Sequence, residues 1–407
     1  MRPQLQGSET VVAVWLGTPI SASTVAQVMG INLVSSIILQ IEPMLLAGLA
    51  GKGILSLSQV GRVATIELAT LAIVMTWSVA RLPYTHVRKY CMLAALVALT
   101  ANFMSAWLTS VPAIYGVRAL SGGASGIFLW TIIGIITRSG SPARLNGINI
   151  SVQCAASLVA ATIFSSFVIP HFGAGAGFTI LGALGALVFL TTFSLPRTFD
   201  PPSLSVEGGG ALGKSGWIAL LSVFLSMAAV LSIWVYIPSL AVLWGYPDWA
   251  ARSAVPFGIG MEACGGLAVV LLSRWIGWRR GLTLSLLTLL LIGLALSVEQ
   301  SPVIYIAVTG GAGFAWMVTM SLQLPFAEFV DPSRRSMAFV SPAQFLGAGV
   351  GPAIASAGVH ADDVRGALYI AALMLAASLG CMAIAVLRRS PLITPNRKTK
   401  SPSLPSE

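Results

Sequence analysis

The stretch Pro112-Ala-Ile-Tyr115, followed by Gly122-Gly123-Ala124, returns later in the chain as Pro302-Val-Ile-Tyr305, followed by Gly310-Gly311-Ala312. Further pairs run in the same order around this stretch, at offsets of 188 to 195 residues. They are Pro43 and Pro238, Glu67 and Glu262, Ser151 and Ser341, Gln153 and Gln344, and His171 and His360. Self-similarity at a fixed period indicates repeated structural units, so the 407-residue chain is predicted to consist of two related halves.

Each half contains six apolar segments of about 20 residues, the length that a helix needs to cross a bilayer. The predicted spans are 25–48, 62–82, 91–109, 113–136, 147–170 and 174–195, then 216–243, 253–273, 281–298, 302–325, 337–358 and 365–387. Spans 3 and 9 show no clear match to each other. Charged residues make up only 9% of the chain, against about a quarter in a soluble domain. Because backbone in lipid must satisfy its own hydrogen bonds, the sequence predicts an all-α integral membrane protein. Its twelve transmembrane helices are expected to form two pseudo-symmetric six-helix bundles.

The distribution of lysine and arginine indicates the orientation of the chain. With the N-terminus placed inside, eighteen of the 23 basic residues fall inside, four fall outside, and Arg118 lies within a span. Since cytoplasmic loops carry the excess of basic residues, both termini are predicted to be cytoplasmic, in a cell (inner) membrane. The net charge of +10 is accounted for by this bias, so we expect no nucleic-acid partner.

The predicted domain organisation follows the repeat. Residues 1–195 form the N-terminal six-helix bundle and residues 216–390 the C-terminal one. Residues 196–215 are rich in Pro, Ser and Gly and are predicted to be a flexible cytoplasmic linker. Residues 391–407 carry four prolines among polar residues and are predicted to be a disordered cytoplasmic tail.

Ionisable residues within spans are costly and are therefore candidates for function. Glu42, Glu67 and Arg118 each lie roughly 8 Å below the outer boundary, counted at about 1.5 Å per residue. Equal depth permits a cluster, either a proton site in which protonation of a carboxylate releases Arg118 or a static ion pair that neutralises buried charge. Glu262 is either a second titratable group or part of helix packing.

Polar side chains also follow single helical faces. Asn32, Ser36 and Gln40 recur at i, i+4 and i+8 in span 1. Tyr236 continues a similar face of span 7. Together with Gln153 and Gln344, and with weaker support for Asn102, Trp130, Trp316 and Gln323, these residues are candidates for a substrate and proton pathway. Hydrogen bonding between helices is the alternative interpretation.

One local motif points to a family. Span 4 reads Arg118-Ala-Leu-Ser-Gly122-Gly123-Ala-Ser-Gly126, an arginine followed four residues later by glycine in a run of small residues. Together with the six-plus-six repeat, it resembles the major facilitator superfamily over residues 20–390. The family's Gly-x-x-x-Asp-x-x-Gly-Arg-Arg motif between spans 2 and 3 is degraded here, because residues 77–89 keep the basic residues without the acid and the glycines. The resemblance implies two halves in the same membrane orientation around a central substrate site that spans 1 and 7 line.

The leading hypothesis is therefore a proton-coupled secondary transporter, a monomer that moves a small-molecule substrate across the lipid bilayer by alternating access. Arg118 favours uptake of a small organic anion by symport, whereas an apolar cavity with Trp and Met suits proton-driven efflux of lipophilic compounds. A non-transporting membrane receptor remains a further alternative. An intramembrane enzyme is disfavoured because no His lies inside a span, so no catalytic residue is expected. The phosphate-binding pattern Gly-x-x-x-x-Gly-Lys-Ser/Thr is absent, and neither cofactor nor metal is expected.

Overall fold

The computed structural model describes residues 21–136, 138, 142–199, 212–272, 275–331, 336–360 and 363–388. These residues contain twelve long α-helices, one at each predicted span. They are α1 Ala22–Gly51, α2 Leu57–Arg81, α3 Val87–Ser105, α4 Val111–Ile136, α5 Pro142–Ile163, α6 Ile169–Thr192, α7 Lys214–Leu243, α8 Asp248–Leu272, α9 Trp278–Leu296, α10 Pro302–Val330, α11 Val340–Ser356 and α12 Arg365–Leu387. The first 20 residues, most of the predicted linker (200–211) and the predicted tail 391–407 lie outside the described residues, and the limits of the two domains stay a prediction.

Local sequence explains where several helices begin. Ser56 caps α2 by accepting a hydrogen bond from the backbone N–H of Gln59, whose side chain accepts one from the Ser56 N–H in return. Ser301 caps α10 by accepting a hydrogen bond from the backbone N–H of Ile304, and Pro302 occupies the first turn, where its missing N–H costs nothing. The helices extend beyond the predicted spans at several ends; α7, for example, begins at Lys214, inside the predicted linker.

The boundary between α5 and α6 is unusual. A π-helical turn, Phe164–Val168, joins the two helices without a loop. The chain leaves the helical conformation at Gly173, where φ is 80° and ψ is 174°, a conformation that only glycine adopts at little cost. Ten segments of the described chain are long and apolar enough to cross a membrane, and the 45-residue segment Ile148–Thr192 contains this break. The 17-residue helix α11 is not among the ten.

Helix packing shows the two-fold repeat directly. Within the first half α2 packs on α4, α3 on α4 and α6, and α1 on α5 and α6; within the second half α8 packs on α10, α9 on α10 and α12, and α7 on α11 and α12. The two most extensive contacts between the halves are those of α2 with α11 and of α5 with α8, and each is the symmetry counterpart of the other; α7 also contacts α1 and α2. The two bundles predicted from the sequence are therefore confirmed. The helix starts of α3 and α9, which have no sequence match, are related by the same 191-residue offset as those of α2 and α8.

The glycines of the repeat are explained by backbone contact. A Cβ on Gly122 of α4 would lie 2.0 Å from the backbone oxygen of Glu67 on α2, and a Cβ on Gly313 of α10 would lie 2.1 Å from that of Gly258 on α8. Glycine therefore permits close approach of these helices in each half. These contacts show that Glu67 of the first half and Gly258 of the second half occupy equivalent positions. Glu262 therefore lies one helical turn deeper than the position equivalent to Glu67.

Cross-half contacts lie between mid-membrane and the predicted outer side. A Cβ on Gly349 of α11 would lie 2.8 Å from Cα of Ala69 on α2, near the middle of both helices. Towards the outer side, Gly61 of α2 lies against Tyr236 of α7 and the backbone oxygen of Pro352. On the periphery of the helix bundles, which would face lipid, large apolar side chains are exposed; examples are Leu190, Val270 and Leu373.

Candidate functional site

A buried charge cluster lies in the outer half of the first bundle. Nη1 of Arg118 on α4 donates to Oε2 of Glu67 on α2 at 3.1 Å, and Nη2 donates to Oδ1 of Asn102 on α3 at 2.9 Å. The Arg118 guanidinium also lies over the ring of Phe178 on α6, 5.0 Å from the centroid. Arg118, Glu67 and Asn102 are all fully buried. Four helices thus enclose one ion pair, held by the close approach of α2 and α4 at Gly122.

Glu42 of α1 joins this cluster from the centre of the protein. Its carboxyl group lies near the Glu67 carboxyl group and the Arg118 guanidinium. Only 2% of Glu42 is exposed, and its Oε1 atom has no hydrogen-bond partner among the described residues. The structure therefore brings together the three charged residues whose equal depth suggested a cluster.

A central cavity of about 190 Å³ lies between the two halves. The predicted pathway residues that line it are Asn32, Ser36, Gln40, Glu42, Gln153 and Gln344. The remaining lining is mostly apolar and comes from both halves: Leu39, Leu129, Met227, Leu231, Trp234, Trp316, Met320 and Phe345 contribute, among others. Glu42 is therefore shared between the wall of the cavity and the buried charge cluster.

The polar face of α1 makes contacts as well as lining the cavity. Nδ2 of Asn32 donates to Oδ1 of Asn149 on α5 at 3.5 Å, and the hydroxyls of Ser36 and Ser157 lie 3.5 Å apart. Both distances are long, at the limit for a hydrogen bond. The cavity and the interhelical interpretations of this face are thus compatible.

One hydrogen bond crosses between the halves at mid-membrane. Nε2 of Gln40 on α1 donates to Oε2 of Glu262 on α8 at 2.9 Å. Glu262 is 2% exposed, and its second carboxyl oxygen has no partner in the described part of the chain. Glu262 lies next to the cavity without being one of its lining residues.

The second half carries a chain of amide and hydroxyl groups. Nε2 of Gln344 on α11 donates to Oε1 of Gln323 on α10 at 2.7 Å, and Nε2 of Gln323 donates to Oγ of Ser226 on α7 at 2.8 Å. Of the three, only Gln344 lines the cavity. Gln323 and Ser226 hold its amide in place from behind.

Two of the residues considered from the sequence lie away from the cavity lining. Tyr236 is fully buried between the halves, against Gly61, at the contact that joins them near the outer side. Trp130 is fully buried on the predicted cytoplasmic side, where its ring stacks on Tyr84 at 4.5 Å.

The stacked rings of Tyr84 and Trp130 also contact neighbouring segments. Tyr84 lies within residues 77–89, where the loop motif between spans 2 and 3 is degraded. The Arg138 guanidinium lies 4.0 Å from the centroid of the Tyr84 ring. The Phe199 backbone N–H donates to the Tyr84 backbone oxygen at 2.9 Å, so the segment after α6 is bound to the loop between α2 and α3. Aromatic stacking and backbone hydrogen bonds thus link these segments on the predicted cytoplasmic side.

Several partners were missed in the sequence. Asn149 and Ser157 contact the polar face of α1, and Asn102, considered for the cavity, binds Arg118 instead. The signal that could have identified Asn102 is its depth: it lies three residues before the outer end of α3, close to the level of Arg118.

Solved structures share this arrangement of helices. The nucleoside transporter NupG matches with a TM-score of 0.65 and 14% identity over 89% of this chain and 98% of its own. A bacterial homologue of the human lysosomal transporter Spinster, inward-facing and unoccupied, gives a TM-score of 0.65 and 14% identity over 90% and 95%. An auto-inhibited peptide transporter of the POT family gives 0.68 and 13% over 91% and 98%.

These three proteins are major facilitator superfamily transporters. No protein-family model matches the chain, and no curated protein sequence matches it. At identities of 13–14%, the structural likeness establishes the fold: the chain has the major facilitator superfamily fold and is a multi-pass membrane protein. The resemblance predicted from the span 4 motif and the repeat is confirmed at this level.

Proposed function

We propose that the chain is a secondary transporter that couples the passage of a small organic solute to protons. The observation that supports this most is the position of Glu42, which lines the central cavity and also reaches the buried Glu67–Arg118 pair. A solute in the cavity and a proton on the cluster can therefore influence each other through one side chain.

The charge balance of the cluster favours a bound proton. The ionisable groups that face Glu42 from the helices packed on α1 are Glu67 on α2 and Arg118 on α4. With all three groups ionised, the site would hold one negative charge in excess, fully buried. Two carboxylates at hydrogen-bonding distance share a proton more readily than they both ionise. One proton between Glu42 and Glu67 makes the cluster neutral, and its loss changes what the cavity presents to a solute.

The cavity itself favours a neutral or cationic solute over the organic anion suggested by Arg118. Arg118 is fully buried and paired with Glu67, and it is not a lining residue. Glu42 is the one ionisable residue among those described as lining the cavity. Either uptake or proton-driven efflux is compatible with this lining, and the flux experiment determines which occurs.

The test is transport in proteoliposomes with an imposed pH gradient and a panel of neutral and cationic aromatic and aliphatic solutes. We expect solute flux that follows the gradient, and proton movement that depends on the solute. Glu42→Gln and Glu67→Gln should each remove the dependence on pH. Asp248→Asn is the matched control, because Asp248 forms an exposed ion pair with Arg252 outside the cluster.

Two results would contradict the proposal. If no solute moves under any gradient, the chain is not a transporter, and a receptor becomes the better hypothesis. If Glu42→Gln and Glu67→Gln transport solute with the same pH dependence as the unaltered protein, the proton is carried elsewhere.

A further inference from the structure

Several buried polar atoms without a partner belong to residues that line the central cavity. Five lining residues each have one polar atom with no hydrogen-bond partner among the described residues: Asn32 Oδ1, Ser35 Oγ, Glu42 Oε1, Trp234 Nε1 and Trp316 Nε1. Most buried polar groups in proteins are hydrogen-bonded, so each exception requires an explanation. Five exceptions around one cavity, which include two N–H donors and two carbonyl or carboxyl acceptors, are explained by a ligand that has both donors and acceptors.

The two indole donors belong to an aromatic pair. The rings of Trp234 on α7 and Trp316 on α10 meet edge to face, with centroids 5.5 Å apart and an interplanar angle of 62°. Trp234 is 2% exposed and is wedged against α8, where a Cβ on Gly258 would lie 3.0 Å from its ring. Trp316 lines the same cavity and is only half-buried. A fixed ring that supports a more open one forms a platform on which a planar ring can stack.

The remaining lining supports the same chemistry. Met227, Met320 and Phe345 complete an apolar surface, and methionine packs well against aromatic rings. Glu42 provides the ionisable group, an acceptor for an N–H donor or a partner for a positive charge. Polar and apolar lining thus form a site for a flat ring with an attached amine.

We propose that the cavity binds a planar aromatic amine that also carries a hydrogen-bond acceptor, with the ring on Trp316, the amine at Glu42 and the acceptor serving the indole N–H donors. This inference rests on the proposed function and specifies its substrate class. A purely apolar solute would leave the five polar atoms unpaired, which costs about 1–3 kcal/mol for each buried group. An aromatic acid would place its carboxylate in a cavity whose ionisable residue is itself an acid.

The test is equilibrium binding to the purified full chain in detergent, without a gradient. The probes are 2-naphthylmethylamine, the matched acid 2-naphthoic acid, and the matched aliphatic cyclohexylmethylamine. We expect the aromatic amine to bind at least tenfold more tightly than either of the others. Trp316→Leu should weaken binding of the aromatic amine tenfold or more, whereas Trp316→Phe should retain most of it. Glu42→Gln should make the affinities for the aromatic amine and the aromatic acid similar.

Trp217→Leu is the control, because Trp217 is 60% exposed on α7 and does not line the cavity. It should leave all three affinities unchanged. If 2-naphthoic acid binds as tightly as the amine, or if Trp316→Leu binds like the unaltered protein while eluting as a folded monodisperse species, the inference is wrong. If the aromatic amine binds but no solute is transported, only the transport proposal is contradicted. If another class of solute is transported with protons and the amine does not bind, only this inference is contradicted.

Discussion

For the Arg118–Glu67 pair, we expect that removing one charge lowers the free energy of unfolding more than removing both. Arg118→Met deletes the cation and leaves the Glu67 carboxyl fully buried without its partner. Breaking a buried pair in this way costs about 3–5 kcal/mol, because a buried charge remains uncompensated. Since 1.4 kcal/mol corresponds to a tenfold change in an equilibrium constant, the unfolding equilibrium should shift by about 10² to 10⁴.

The double variant Arg118→Met/Glu67→Gln should recover most of this loss. It leaves neither charge of the pair buried, and the methionine fills much of the arginine volume. Replacing a buried ion pair with groups of similar volume is often neutral in free energy. The structure therefore predicts a coupling free energy of about 2–4 kcal/mol between the two positions, measured as a double-mutant cycle.

The assay is unfolding in mixed micelles titrated with a denaturing detergent and followed by tryptophan fluorescence, for which the chain supplies 11 tryptophans. If the double variant is as unstable as the sum of the losses in the two single variants, the reasoning about the pair is refuted.

Two further predictions concern contacts around the site. Gly122→Ala should destabilise the protein by about 1–3 kcal/mol and impair proton coupling, because its Cβ would lie 2.0 Å from the Glu67 backbone oxygen. Gly123→Ala is the matched control and should be tolerated, since the nearest atom to its Cβ would be 3.6 Å away; equal effects would contradict the packing argument. Gln40→Leu should cost about 1–3 kcal/mol by leaving the buried Glu262 carboxyl unpaired. Glu262→Gln should cost less, because its amide oxygen still accepts from Gln40, and the same titration measures both; a larger loss in Glu262→Gln would show that the charge matters more than the hydrogen bond.

Much of the fold follows from local information in the chain. A transmembrane helix requires only a long apolar segment, since its backbone hydrogen bonds are internal. Each of the twelve predicted spans therefore coincides with a helix, even where α5 passes into α6 without a loop. The repeat and the glycine run of span 4 also predicted the two bundles, because close helix packing restricts side-chain size at the contact.

The site was only partly predictable. Depth along a helix can be counted from the sequence, which is why Glu42, Glu67 and Arg118 could be expected at one level. Rotation about the helix axis and the choice of neighbouring helix depend on packing. Those factors assigned Asn102 to Arg118 and placed Tyr236 at the contact between the halves.

The sequence by itself thus determined the membrane class, the positions of the twelve helices and their two-fold repetition, because these depend on hydropathy and length along one chain. Tertiary structure alone decided that Glu42 belongs to both the cavity and the charge cluster, and that Gln40 crosses to Glu262. It also decided that Arg118 is not among the residues that line the cavity, which is why we propose an amine and not an anion as the solute. These are relations between side chains on different helices, and they exist only once the helices pack.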